Sequence, residues 1–293
     1  MTGVGEYDGT VADLLERMLV TVIGTAGFWG RRVFLVGGLV PRYLYGASSP
    51  HFWNRVGTRD ADLAVRLLID DPTPRSYETR ARSLLGAGFS RAPFVDDPGY
   101  RWRKDAGISS LILEFICDTD EVPPGSNYRP HSMPSSGSGL EALNVRGARL
   151  VCLDSRLILI NAESLDSRGP ANVGLRVSGL LPFMVLKILA FVDRRKGRDA
   201  YDIVWTLANH KDGPRAAGRE MAASPVAAHP LAAEAIALLR SRFVGAGKEG
   251  PMAYDAEARG RLETARNPEK RREAVETVRV ALKAFDDARV ALR

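Results

Sequence analysis

The sequence predicts an α+β protein, an N-terminal mixed sheet with helices followed by a C-terminal helical region. Three observations predict it. Short helix-like and strand-like runs alternate over the first half of the chain. A Pro-, Ser- and Gly-rich stretch interrupts them near 119–147, and from Tyr201 onward the apolar spacing is helical almost throughout. The expected division is an α/β domain over residues 1–178, with a flexible loop near 119–147, and a helical domain over 179–293.

The first element is a helix from Val11 to Ile23. Leu14, Leu15, Met18, Leu19 and Val22 share one of its faces, Thr10 is placed to cap it and Gly24 to stop it. Val33 to Val36 is a short buried strand, ended by Gly37 and Gly38 before a helix from Val40 to Tyr45 that tolerates Pro41 in its first turn. Beyond a loop holding Ser48, Ser49, Pro50 and Asn54, residues Asp60 to Leu67 alternate polar and apolar as a strand does. A helix over Arg75 to Leu85, opened by Pro74 and closed by Gly86 and Gly88, precedes strands over Tyr100 to Lys104 and Ser109 to Cys117.

Asp118 to Gly147 resists regular structure by composition and suits a mobile lid. Strand-like runs return at Leu150 to Leu153 and Leu157 to Ile160. Leu180 to Val192 is then an apolar helix bearing one charge, Lys187. Leu231 to Phe243 and Ala256 to Leu292 are Ala-rich with interspersed charges, the pattern of a small helical bundle.

A formal charge of +6 favours anionic partners such as nucleic acid or polyphosphate without choosing between them. The basic excess of the C-terminal helices reads more readily as a solvated face than as a nucleic-acid footprint. Cys117 and Cys152 both lie in apolar runs, as reduced core thiols do, which suits a cytoplasmic protein. Glu6 and Asp8 near the start, with no basic patch ahead of an apolar stretch, give no sign of a secretory leader, and no run is long enough to span a membrane. His51, His131, His210 and His229 have no zinc-ligand spacing, no Gly-x-Ser-x-Gly elbow is present, and no Walker lysine follows a glycine loop.

The chemistry lies in an ordered set of residues. Side chains two apart on a strand leave the same face, so Asp60 and Asp62 project together while Ala61, Leu63 and Val65 face the core. Two adjacent carboxylates call for a cation between them, and magnesium (or manganese) meets that need alongside substrate phosphates. Glu114, flanked by apolar residues on a second strand, is the expected third acid of a two-metal site, with Asp118 in reserve about 13 Å further along. Gly37 and Gly38, without side chains, let backbone N–H groups approach phosphate oxygens, with a helix N-terminus behind them. Neither the glycine pair nor Asp-x-Asp is specific alone; their order is.

This order resembles the nucleotidyltransferase superfamily, whose catalytic domain is a polymerase beta-like mixed sheet. Within it the chain resembles the AbiEii-like toxins of type IV toxin–antitoxin systems, which include the MenT proteins. Leu186-Lys187-Ile188-Leu189-Ala190 and then Asp193-Arg194-Arg195-Lys196-Gly197-Arg198-Asp199-Ala200-Tyr201-Asp202-Ile203 look like that family's Lys-x-x-Ala to Arg-Asp-x-x-Asp block, and the likeness covers about residues 30 to 210.

The resemblance implies that Gly37, Gly38, Lys187 and Arg198 bind nucleotide, that Asp60, Asp62 and Glu114 hold metal, and that Lys187 pairs with the triphosphate. Asp199 or Asp202 would support the pocket or take part in catalysis, and the helical domain would complete that pocket. Leu39 stands where the family carries a hydroxyl, and Ser48, Ser49 or Thr58 are the available substitutes. From the residues alone, Lys187 either snorkels to water or meets an anion, and Asp199 and Asp202, three apart on one helix face, could order Lys187 or Arg198.

The expected activity is transfer of a nucleoside monophosphate from a nucleoside triphosphate to an acceptor hydroxyl. RNA, in particular a tRNA 3′ end, is the first choice of acceptor. The expected biological role is a toxin of a toxin–antitoxin or phage-defence system, with a cognate antitoxin as partner. The alternatives are transfer to a small molecule such as an aminoglycoside or to a protein hydroxyl, and a non-catalytic nucleotide-binding regulatory module.

Overall fold

The computed structural model describes residues 9–25, 33–45, 62–69, 74–91, 99–105, 110–130, 140–166, 169–259 and 267–291. The chain divides into two compact units. One comprises Tyr7–Val40 and Gly57–Ser178, and the other Met1–Glu6, Pro41–Val56 and Gly179–Arg293.

The first unit is built on a mixed sheet. Its strands are β1 (Val33–Val36), β2 (Asp62–Ile69), β3 (Ser90–Arg91), β4 (Arg101–Asp105), β5 (Ser110–Cys117), β6 (Asn127–Tyr128), β7 (Ala142–Asn144), β8 (Ser155–Glu163) and β9 (Pro170–Ser178). The order across the sheet is β3-β4-β5-β2-β1-β9-β8, with β7 beside the end of β5 and β6 beside β7. β2 runs antiparallel to β1 and parallel to β5, while β1 runs parallel to β9.

Helix α1 (Gly9–Thr25) lies on one face of this sheet, with Gly24 over Val173, and α3 (Pro74–Gly86) packs beside it. On that face the alternation of β8 and β9 directs Ile160, Val173, Leu175 and Val177 inward, all of them buried. Such a row of branched side chains is what a half-covered antiparallel pair needs to hold its register. β9 is absent from the sequence-based expectations because Pro170 and Gly174 dilute its apolar alternation.

One expectation is corrected here. Leu150–Leu153 forms a short helix, α4, rather than a strand. Asp118 Oδ2 accepts hydrogen bonds from the backbone N–H groups of Gly147 and Arg149, which sets a helical turn going just ahead of it. In the stretch near 119–147, the described residues include β6 and β7. The buried Asn144 side chain donates to the carbonyls of Thr119 and Val122 and accepts from Thr119 N–H, tying the Pro-Pro-Gly segment to β7. His131 to Gly139 lie outside the described residues.

The second unit is helical where described. After α2 (Val40–Tyr45), which belongs to it from Pro41, come α5 (Leu180–Arg194), α6 (Gly197–Ala208), α7 (Gly213–Ala223), α8 (Pro230–Arg242), α9 (Glu249–Arg259) and α10 (Pro268–Ala291). Tyr45 Oη donates to the carbonyl of Thr206 and its ring meets that of His210 edge-on. α7 and α10 cross at Gly218, where a Cβ would run into the carbonyl of Ala281. Only glycine permits an approach that close.

Candidate functional site

The glycine turn has a backbone reason. Val36 leaves β1 extended, and Gly37 then takes φ 78°, the left-handed region that a residue with a side chain avoids. Gly37–Leu39 forms a single 3-10 turn that runs straight into α2. Both glycines are half-buried, whereas Leu39 is turned into the core at 3% exposure. That burial accounts for the missing hydroxyl: the position packs rather than presents a polar group. α2 has six residues, so its dipole adds less to an anion site than a full-length helix would.

β2 starts at Asp62 and runs back along β1, with Arg66 opposite Val36. The glycine turn, which leaves the far end of β1, and the opening of β2 therefore lie at the same end of the sheet. Asp60, the other aspartate of the pair, lies outside the described residues, as do Ser48, Ser49 and Thr58. Asp62 is register partner to Ser110, which is in turn partner to Asp105 of β4, so these three positions form one row across β2, β5 and β4.

Glu114 does not join that row. It stands opposite Arg66, four residues beyond Ser110, which at a strand's rise is about 13 Å away. Its carboxylate is buried and accepts from Arg101, Nε at 3.2 Å and Nη2 at 2.7 Å. The parallel register thus sets Glu114 level with Arg66 and Val36, and Arg101 is its cation in this structure. Asp118, the reserve, is occupied in capping α4. Among the described residues no three His, Cys, Asp or Glu side chains gather as a metal ion needs.

Cys117 is buried, and burial together with Asp118 and Glu121 pushes its thiol up to about 12, which makes it an inert core group. Cys152 is only half-buried, and neither forms a disulfide.

In the helical unit, Lys187 of α5 is buried with its ammonium 3.2 Å from Asp199 Oδ1 and 2.5 Å from Asp202 Oδ2, both on α6. Arg194, at the end of α5, reaches Asp199 through Nε and Nη2 at 2.7 and 2.8 Å. The chain reverses between the helices at Arg195, which takes φ 51° as the left-handed end of α5. Burial works to raise the Asp199 pKa, but the hydrogen bonds from Arg194 and the charges of Lys187 and Arg194 outweigh it and hold the carboxyl below its usual range.

Of the two readings of Lys187, the anion is therefore realised, and it is supplied by the chain itself. The cluster joins Lys187, Asp199 and Asp202 as the spacing suggested. Arg198 is half-buried and its side chain makes no ion pair there. Arg194, which the sequence reading set with Arg195 and Arg198 as a candidate to help Lys187 steady pyrophosphate, is held instead by Asp199. The only signal for that pairing was the five-residue separation from Asp199 across a turn.

No protein-family model matches the chain, and no curated relative does. One solved structure, of the antibiotic-resistance factor ANT(2'')-Ia, aligns at 13% identity over 96% of each chain with a TM-score of 0.30.

Proposed function

We propose that this chain is a nucleotidyltransferase whose reaction centre lies at the sheet end where the Gly37 turn leaves β1 and Asp62 opens β2. The observation that carries this reading is the pairing of those two features on adjacent antiparallel strands. A side-chain-free turn gives phosphate oxygens access to backbone N–H groups, and acids beside it suit the metal that accompanies a triphosphate.

In this proposal Asp60 and Asp62 hold a divalent cation, magnesium or manganese, which supplies charge neutralisation and orientation of the triphosphate. Gly37 and Gly38 receive the phosphates. The acceptor hydroxyl oxygen bonds to the α-phosphorus as the bond from that phosphorus to the oxygen bridging to the β-phosphate breaks; pyrophosphate leaves with that oxygen and the hydroxyl proton passes to solvent. Lys187, Asp199 and Asp202 act as positioning residues that fix α5 to α6.

An RNA hydroxyl, such as a tRNA 3′ end, is the proposed acceptor. The net charge of +6 supports it. The toxin role, with a cognate antitoxin as partner, rests on the resemblance of the Lys187 to Ile203 block.

The test is incubation with each of the four α-labelled nucleoside triphosphates, magnesium, total RNA and total protein. Label in RNA that needs magnesium supports the proposal. Label in neither acceptor contradicts it, and label in protein alone overturns the choice of RNA.

A further inference from the structure

Several exposed cations of the helical unit carry an acid of their own. Arg240 meets Asp286 at 2.8 Å, Arg279 meets Glu276 at 2.5 Å and Lys283 meets Asp287 at 2.9 Å, the ordinary pairing of solvated helix faces. Helix α7 and the turn before it depart from this. Lys211, Arg215 and Arg219 stand four residues apart and all three are exposed. Among the described residues, none of the three side chains forms an ion pair or a hydrogen bond.

Helix stability does not ask for this arrangement. α7 buries Ala217, Gly218, Met221 and Ala222, with α10 crossing at Gly218, so the packing uses none of the three cations. Arg215 and Arg219 lie one helical turn apart, the spacing at which like charges repel. Arg215 also stands in the first turn, which holds no acid and where the helix dipole disfavours a cation. Glu220, the one acid of α7, lies 3.1 Å from His210 Nε2. Asp212, exposed beside Lys211, forms no ion pair with the three cations.

We propose that Lys211, Arg215 and Arg219 dock the phosphate backbone of a nucleic acid. The choice of RNA as that nucleic acid rests on the acceptor proposed above. Charge complementarity argues for a polyanion over a small anion. Separate exposed cations hold a small anion weakly, because water and salt compete at each one, whereas a polyanion gains from every counterion it releases. Four residues of helix advance about 6 Å, a step close to that between neighbouring phosphates of one strand, so Arg215 and Arg219 meet successive phosphates. The planar guanidinium suits them, with paired N–H donors for phosphate oxygens.

Fluorescence anisotropy of a labelled tRNA with the full chain, followed across salt concentration, tests this. The wild type is expected to bind with an affinity that falls as salt rises. The triple variant Lys211→Gln, Arg215→Gln, Arg219→Gln is expected to bind roughly 10-fold more weakly, with the slope of log affinity against log salt reduced by about 2 to 3. Its melting temperature should hold or rise, because a like-charge contact is removed. The triple variant Arg240→Gln, Arg279→Gln, Lys283→Gln removes the same charge elsewhere and should leave the slope unchanged.

A wild type that does not bind tRNA, an unaltered slope in the α7 variant, or an equal loss in the two triple variants overturns the proposal. Polyglutamate that competes as well as unlabelled tRNA overturns the choice of RNA. The labelling assay reads the chemistry separately. Binding lost with the α7 cations upholds this proposal even where no label enters RNA, and label in RNA with an unaltered α7 variant overturns this proposal alone.

Discussion

Arg101 and Glu114 face each other across β4 and β5, guanidinium to carboxylate at 2.7 Å, and this pair gives the buried carboxylate a cation from the chain itself. Glu114→Gln is expected to destabilise the fold by about 1–3 kcal/mol, the range for a lost charged hydrogen bond at a buried group. It should leave the magnesium dependence of any transfer activity unchanged. Urea denaturation and a magnesium titration of activity check the two halves of this prediction separately.

The Lys187 cluster predicts a larger loss. Lys187→Met would leave Asp199 and Asp202 buried side by side with Arg194 as their cation, at an expected cost of about 3–5 kcal/mol. Replacing Lys187 and Asp202 together by Met and Asn should cost less than the two single changes added, because the double change leaves no orphaned charge. Chemical denaturation of the three variants provides the comparison.

Asp199 also sets a pH dependence. Its folded pKa lies below the unfolded value, so the stability it contributes is present above about pH 4 and is lost as pH falls through the folded pKa. Acid titration of the unfolding free energy should therefore show a steeper fall below about pH 4 in the wild type than in Asp199→Asn.

Two glycines should be intolerant of alanine for different reasons. Gly37→Ala places a Cβ in the left-handed region and is expected to cost about 1–2 kcal/mol, with Gly37→Asn milder. Gly218→Ala forces α7 away from α10 and is expected to cost about 1–3 kcal/mol, with no gentler substitute. Thermal melts of the four-member set, Gly218→Ser included, check both.

Local signals in the sequence were sufficient for elements that fold on their own pattern. β1, α2, β4, β5 and α5 lie within two residues of the spans that periodicity and glycine placement indicate. Leu150–Leu153 reads as a strand because four apolar residues carry no period, and what makes them helical is Asp118, a cap from far earlier in the chain. Nor could composition reveal that the Asn144 side chain donates to the carbonyls of Thr119 and Val122.

The candidate site shows the same division. The Gly37 turn and the Asp62 strand were legible as local motifs. The distance of Glu114 from Asp62 was not, because the register between two parallel strands separated by a long crossover is fixed by packing. Likewise the spacing of Asp199 and Asp202 predicted a shared face, while Arg194 entered the cluster only through the reversal at Arg195.

The most direct measurement is transfer of α-phosphate label by Asp62→Asn and Glu114→Gln, side by side under identical magnesium. Asp62→Asn is expected to retain the fold and lose transfer by on the order of 100-fold or more, as when a group that stabilises transition-state charge is removed. Glu114→Gln is expected to keep most of its activity. Undiminished labelling by Asp62→Asn would contradict the proposed chemistry at this end of the sheet.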